Sequence, residues 1–127
     1  GKARILVAHH PLNHPQKTKK RPIPGADRAL TKLLACGTDL VLSGHLHTWH
    51  VGEFERGKEG GAAVQLHAGT SLSSRLRGEP NDFNLIDISP DCFEISRLAY
   101  ADASGTFEKT ETRHFDRVSE VVQPASD

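Results

Sequence analysis

The most informative absences in this sequence are those of methionine, of surplus charge and of long apolar runs. None of its 127 residues is a methionine, so we expect a C-terminal fragment or a cleavage product of a longer translated protein. Sixteen basic residues offset sixteen acidic ones, so no global field recruits nucleic acid or an anionic membrane. No apolar run approaches the roughly 18 residues that a membrane span needs. We therefore expect no membrane partner.

Cysteine is also scarce, since Cys36 and Cys92 are the whole complement. Two cysteines are too few for a disulfide framework, and Cys36 falls in a predicted helix. Free thiols are typical of reducing compartments, so we expect a cytoplasmic protein. The chain length corresponds to one domain, which can bury roughly two thirds of its unfolded surface.

The most informative motif that is present is Ser43-Gly44-His45-Leu46-His47, which follows the apolar run at residues 40–42. Side chains alternate along an extended backbone, so His45 and His47 are predicted to point the same way. Neutral imidazole is the commonest metal ligand, and this pattern indicates a metal site. Gly44 would let the chain turn sharply without a Cβ beside the ion. The alternative is that both histidines only cap a strand and bond to the loop backbone.

A second strand-like run at residues 3–8 also ends in histidine, at His9-His10-Pro11. A strand would send His10 the opposite way from His9, so we expect His10 to pack nearby or to touch substrate. A proline-rich loop follows, and then a helix with Asp27 as its N-cap and Gly37 just past its end. Helix-connected neighbouring strands are parallel, which brings both histidine-bearing ends to the same carboxyl edge.

The rest of the chain predicts antiparallel strands. Residues 51–56 and 63–67 flank a glycine-rich turn and indicate a hairpin, and residues 83–88 and 93–101 form another pair, followed by a strand at 106–115. Residues 117–127 form a polar tail. The predicted class is therefore α+β, with a strand–helix–strand unit followed by hairpins.

These elements resemble the C-terminal half of the calcineurin-like metallophosphoesterase family. In that family a strand ends in a metal-binding histidine, which His9 matches, and a later strand ends in Gly-His-x-His, which His45 and His47 match. The stretch from Ala68-Gly69-Thr70 through Ser74-Arg75-Leu76-Arg77-Gly78-Glu79 to Ile86 is similar to the bacterial cyclic-nucleotide-phosphodiesterase-like branch.

The resemblance implies a four-layer αββα sandwich, of which residues 1–116 would be the C-terminal part. It implies two divalent ions (Mn, Fe or Zn), with His9 and His45 on one and His47 on the other. It also implies a metal-dependent phosphoric ester hydrolase, more a phosphodiesterase than a monoesterase, acting by attack of metal-activated hydroxide on phosphorus. The expected substrate is a small phosphate ester, with a nucleotide as one candidate. The weaker substrate-binding candidates are Arg75, Arg77 and His10.

The family's N-terminal motifs are missing from this sequence. There is no Asp-x-His, no Gly-Asp-x-x-Asp and no Gly-Asn-His followed by an acid, and Asn13-His14 stands in the wrong order to replace the last. We therefore expect the fragment alone to be inactive, and to pair with its missing half or to self-associate.

Two other hypotheses use the same histidines. The chain could be a non-catalytic module that binds a metal or a partner through the cluster. With His50, the pattern His-x-His-x-x-His also resembles the metallo-β-lactamase signature, but Trp49 stands where that signature requires Asp.

Overall fold

The computed structural model describes residues 1–14, 21–55 and 62–117. It contains two sheets and one helix in the α+β order that the sequence predicts. In chain order the elements are β1 (Ile5–Val7), α1 (Ala26–Ala35), β2 (Leu40–Ser43), β3 (His50–Glu55), β4 (Ala62–His67), β5 (Asp82–Ile88), β6 (Cys92–Ala101) and β7 (Thr106–Asp116). The predicted turn between β3 and β4 and most of the polar tail lie outside the described residues.

The first sheet has the strand order β1-β2-β4-β3. Strands β1, β2 and β4 are parallel, with Ile5 beside Leu40 and Leu42 beside Leu66, and β3 is antiparallel to β4. The predicted parallel pairing of the two histidine-bearing strands is confirmed. The second sheet is the antiparallel meander β5-β6-β7.

The core lies between the two sheets. Leu40 of β2 and Leu66 of β4 pack with Phe93 and Ile95 of β6, and all four side chains are buried. Alternation along the strands turns Val41 and Ala63 to the other face, where Leu6, Leu30 and Leu34 cover them. The chain therefore forms three layers, with the helix on the first sheet and the second sheet beneath it.

The ends of α1 correct one prediction and confirm another. Gly25, at φ 80°, is the N-cap without a side-chain cap, and Asp27 lies in the first turn. The prediction of Asp27 as the N-cap was wrong, although a carboxylate there still favours the positive end of the helix dipole. Gly37 follows the C-cap at φ 81° and its N–H donates to the Leu34 carbonyl, as a helix-terminating glycine does.

Strand β1 lies at the edge of the first sheet. In the described part of the chain its other side has no strand partner. Ile5 is 43% exposed and Val7 74% exposed, whereas Leu40 and Val41 of neighbouring β2 are buried. Apolar surface is thus uncovered along this edge. Within the described residues, no helix reaches the length and hydropathy that crossing a membrane requires.

Candidate metal centre

The carboxyl ends of β1 and β2 are joined by backbone hydrogen bonds. The Ala8 N–H donates to the Leu42 carbonyl at 2.9 Å, and the Gly44 N–H donates to the His9 carbonyl at 3.1 Å. The second bond directly connects the two histidine-bearing segments. The prediction that these strand ends meet is confirmed.

Three imidazoles come together at this edge: those of His9, His10 and His45, here called the histidine trio. One nitrogen from each ring lies within 4.8 Å of the others. The ring centroids are 4.9 Å apart for His9 and His10, 5.3 Å for His9 and His45, and 4.4 Å for His10 and His45. His9 and His10 are exposed and His45 is half-buried, so the group is accessible from solvent.

His10 lies in the trio, whereas strand alternation predicts that it points the opposite way from His9. The reason is the length of β1, which ends at Val7. His9 and His10 follow it in a bend, where the alternation of an extended strand no longer applies. Two adjacent residues can therefore present their rings to one place.

His47 lies outside the trio and is held separately. Its Nδ1 is 3.1 Å from the backbone carbonyl of Arg75. Because a carbonyl can only accept, Nδ1 carries the proton in this bond and Nε2 of the neutral ring keeps its lone pair. A metal-binding histidine usually donates its other ring N–H to a carboxylate, a backbone carbonyl or water, and this hydrogen bond orients the ring.

The loop between β2 and β3 turns at its histidines. His45 has φ 67° and His47 has φ 57°, whereas Gly44 has no positive φ and a Cβ on it would meet nothing within 4 Å. The predictions of an extended Gly-His-x-His backbone and of a turning Gly44 were therefore wrong. Left-handed backbone at residues with a Cβ costs about 1–2 kcal/mol each, so the surroundings must hold this loop in place.

The two arginines of the phosphodiesterase-like stretch are exposed. Arg75 contacts His47 through its backbone carbonyl, and Arg77 lies two residues further along the same loop. Both side chains therefore lie outside the core, on the loop whose Arg75 carbonyl orients His47.

A second pair of histidines lies on the helix-facing side of the first sheet. His50 and His67 stand opposite each other on β3 and β4, with ring centroids 5.4 Å apart. His67 is 1% exposed, and burial lowers its pKa to about 4, with the nearby His50 and His14 adding to the effect. Burial also lowers the pKa of His50. His50 is therefore apart from the trio, which removes the metallo-β-lactamase-like arrangement.

Comparisons with known proteins were informative only for structure. No family model matches this chain, and no curated protein matches its sequence. Among solved structures, Vps29 from Chaetomium thermophilum has 15% identity over 84% of this chain and 54% of its own, with a TM-score of 0.52. Vacuolar Protein Sorting 29 from Cryptosporidium parvum has 20% identity over 82% and 50%, with a TM-score of 0.51. Wild-type Vps29 from Entamoeba histolytica complexed with Zn²⁺ has 16% identity, 80% and 51% coverage and a TM-score of 0.48.

The two structures with TM-scores above 0.5 show that the chain shares its fold with Vps29 proteins. The chain has a metallophosphoesterase-like fold. It spans about half the length of the structures that it matches. In this metallophosphoesterase-like fold the histidine trio lies at the carboxyl edge of parallel strands, where open α/β sheets place their sites.

Proposed function

We propose that this chain supplies the histidine-bearing half of a divalent-metal centre in a phosphoric ester hydrolase. The observation that carries the proposal is the histidine trio, with three imidazole nitrogens within 4.8 Å of one another at the ends of β1 and β2. The metallophosphoesterase-like fold supports it, because the trio arises from the two segments that resemble that family's metal-binding histidines.

The donor set fits a transition-metal ion. His9, His10 and His45 would hold one ion, and His47 would hold a second with ligands from outside this chain. Imidazole suits Zn, Fe and Mn, and carboxylates from another segment would favour Mn or Fe as much as Zn. His47 is prepared for this role because its proton is on Nδ1, bonded to the Arg75 carbonyl.

The residues of the chain divide into ion-holding and phosphate-holding groups. Divalent ions, when bound, neutralise charge developing on phosphorus and activate water near neutral pH. The exposed guanidinium groups of Arg75 and Arg77 would hold the phosphate beside His47, since a planar guanidinium binds phosphate oxygens in pairs. Their loop resembles the bacterial cyclic-nucleotide-phosphodiesterase-like branch, which favours a phosphodiester, with a nucleotide as the candidate class.

One observation favours a second candidate function. Among the described residues, the group of side chains that could hold an ion consists of three histidines, and no carboxylate belongs to it. Three imidazoles can hold a single Zn in an open site, but a two-metal centre needs a bridging acid. A non-catalytic module that binds one ion or a partner through the trio is therefore the alternative.

Metal binding and hydrolysis are tested separately. Co²⁺ is titrated into the chain and followed by its visible spectrum, and we expect binding that His45→Ala abolishes. The longest native polypeptide that carries these residues is then assayed on bis(p-nitrophenyl) phosphate with Mn²⁺. Activity that His45→Ala removes supports the hydrolase. Co²⁺ binding without activity in that polypeptide supports the module, and Co²⁺ binding that survives His45→Ala contradicts both.

A further inference from the structure

A network of charged side chains connects the second sheet to the loop at residues 44–49, here called the histidine loop. Arg97 of β6 donates from Nε and Nη2 to Asp82 Oδ2, at 2.8 and 2.6 Å, and from Nη2 to Glu79 Oε2 at 3.0 Å. The Asp82 side chain is fully buried and that of Arg97 is 15% exposed. The network is thus anchored in the core.

Glu79 extends this network to the histidine loop. Its Oε2 also accepts a hydrogen bond from the backbone N–H of Trp49 at 2.9 Å. The Trp49 indole donates to Asn84 Oδ1 at 2.8 Å, and the Arg97 guanidinium lies 5.0 Å from the centroid of the indole ring. Trp49, the last residue of the histidine loop, is therefore held at three points by groups of the second sheet and the loop before it.

The positive charge of Arg97 is already balanced without Glu79. Asp82 already gives Arg97 a buried carboxylate with two hydrogen bonds, and its other oxygen accepts from the Gly69 N–H at 3.1 Å. A second carboxylate on one guanidinium leaves a net negative charge in the network. What Glu79 alone adds is the bond to the backbone of Trp49.

The histidine loop needs such an anchor because its backbone is strained. His45 and His47 both have left-handed φ angles, a conformation that persists in residues with a Cβ only when the surroundings enforce it. The Gly44–His9 bond holds the start of the loop. The Arg75 carbonyl and Glu79 hold its second half, and both belong to the same stretch of chain.

We propose that Glu79 is a positioning residue that keeps His45 and His47 in their ligand-presenting conformation and so sets the metal affinity of the site. The affinity part of this inference rests on the proposed function, and the conformational part does not. In this proposal Glu79 is not a ligand itself and acts through its hydrogen bond to the backbone of Trp49.

The test compares Glu79→Ala, Glu79→Gln and Glu79→Asp in the whole chain. Glu79→Gln keeps an oxygen acceptor for the Trp49 N–H, whereas Glu79→Asp keeps the charge but is one methylene too short to reach it. We expect Glu79→Ala and Glu79→Asp to weaken Co²⁺ binding about 10- to 100-fold, the usual range for a group that orients metal ligands. Glu79→Gln should restore most of the affinity.

Two further readouts separate positioning from general destabilisation. The imidazole ¹⁵N shifts of His47, measured without metal, should report the Nδ1–H tautomer in the parent and in Glu79→Gln, and a mixture in the other two variants. The control Glu94→Ala removes an exposed carboxylate whose partner is His114, at 2.7 Å on β7, and should change neither readout.

The outcomes are distinguishable. An unchanged His47 tautomer in Glu79→Ala and Glu79→Asp would overturn the positioning role, whatever the metal data show. Loss of the Nδ1–H tautomer in Glu79→Ala and Glu79→Asp, found together with a parent chain that binds no Co²⁺, would support the positioning role and contradict the proposed function. If Glu79→Ala does not fold, the comparison of Glu79→Asp with Glu79→Gln decides.

Discussion

His67 lies directly opposite His50 across the β3–β4 pair, and it is the more deeply buried of the two. Its Nδ1 finds no hydrogen-bond partner among the described residues. Gly52 makes room for the arrangement, because a Cβ there would lie 3.2 Å from His50 Nε2. A neutral His67 is thus part of the folded state, and protonating it costs free energy.

This pair predicts acid sensitivity of folding. The pKa of His67 falls from 6.5 to about 4 on folding. Between these values the unfolded chain binds more protons, so the free energy of unfolding should rise with pH across this window. The contribution of neutral His67 to the free energy of unfolding should be fully present above pH 6.5. About 3 kcal/mol of it should be lost as the pH falls through 4. Urea unfolding at a series of pH values measures this dependence.

The matched substitutions are His67→Gln and His114→Gln. His114 lies exposed on β7. The pH dependence should flatten in His67→Gln and persist in His114→Gln. A slope that survives in His67→Gln would assign acid sensitivity to another group.

A second prediction contrasts two glycines. A Cβ on Gly69 would lie 2.8 Å from Asp82 Oδ2 and closer still to Oδ1, whereas a Cβ on Gly44 meets nothing within 4 Å. Gly69→Ala should therefore destabilise the fold by about 1–3 kcal/mol, the usual cost of overpacking. Gly44→Ala should stay within about 0.5 kcal/mol of the parent. Thermal unfolding of both variants, without metal, checks this, and equal effects would contradict the close approach of the Asp82 carboxylate to Gly69.

A third prediction concerns the composition of the metal site. Because His10 lies in the histidine trio, His10→Ala should weaken Co²⁺ binding as much as His9→Ala does, by about tenfold or more. Calorimetry on the two variants makes the comparison, with His114→Ala as the surface control. Parent-like binding by His10→Ala would return His10 to the substrate-contacting role that the sequence indicates.

A fourth prediction concerns assembly. Val7 is 74% exposed on edge strand β1, and open apolar edges recruit other chains. We expect the isolated chain to self-associate, to pair with a complementary half or to remain partly disordered. Val7→Glu should lower the mass measured by light scattering, whereas Leu72→Glu, on a loop residue that is 89% exposed, should not. A monodisperse parent monomer with strongly protected amides in β1 and β2 would show that the chain closes its own sheet.

A fifth prediction is that the isolated chain has no appreciable phosphodiesterase activity. The reason is that, among the described residues, no carboxylate belongs to the histidine trio that could bridge two ions. Turnover of bis(p-nitrophenyl) phosphate at about 1 per second or more, removed by His45→Ala, would contradict this. The assay is repeated after the chain has been treated with a chelator and Mn²⁺ has been added back. This excludes an effect on activity of metal carried over from purification.

The sequence predicted the architecture well because periodicity reports burial directly. Leu40 and Val41 show the pattern of a buried parallel strand, and the predicted hairpin strands lie within one or two residues of those observed. The parallel pairing of β1 and β2 followed from the helix between them. These features depend on the chain's own local pattern.

The site was harder to predict because its geometry depends on backbone angles after the strands end. Nothing in the sequence signals that β1 stops at Val7 and brings His10 beside His9. The left-handed angles fall on His45 and His47, although glycine is the residue that favours them, because tertiary bonds to Trp49 and His47 hold the loop. No local sequence pattern predicts the network of Glu79 and Arg97, because its members are distant in the chain. Trp49 and Arg97 are separated by 48 residues.

The strand order also implies an order of folding. Strands β5, β6 and β7 are consecutive neighbours joined by short turns, so their pairing closes only small loops. Pairing of β1 with β2 spans the proline-rich loop and the helix, and β2 pairs with β4 past the intervening β3. Non-local pairing of this kind is slow. We therefore expect the meander to form early and the two histidine-bearing strand ends to meet late, so that the histidine trio is assembled only in a chain that is already nearly folded.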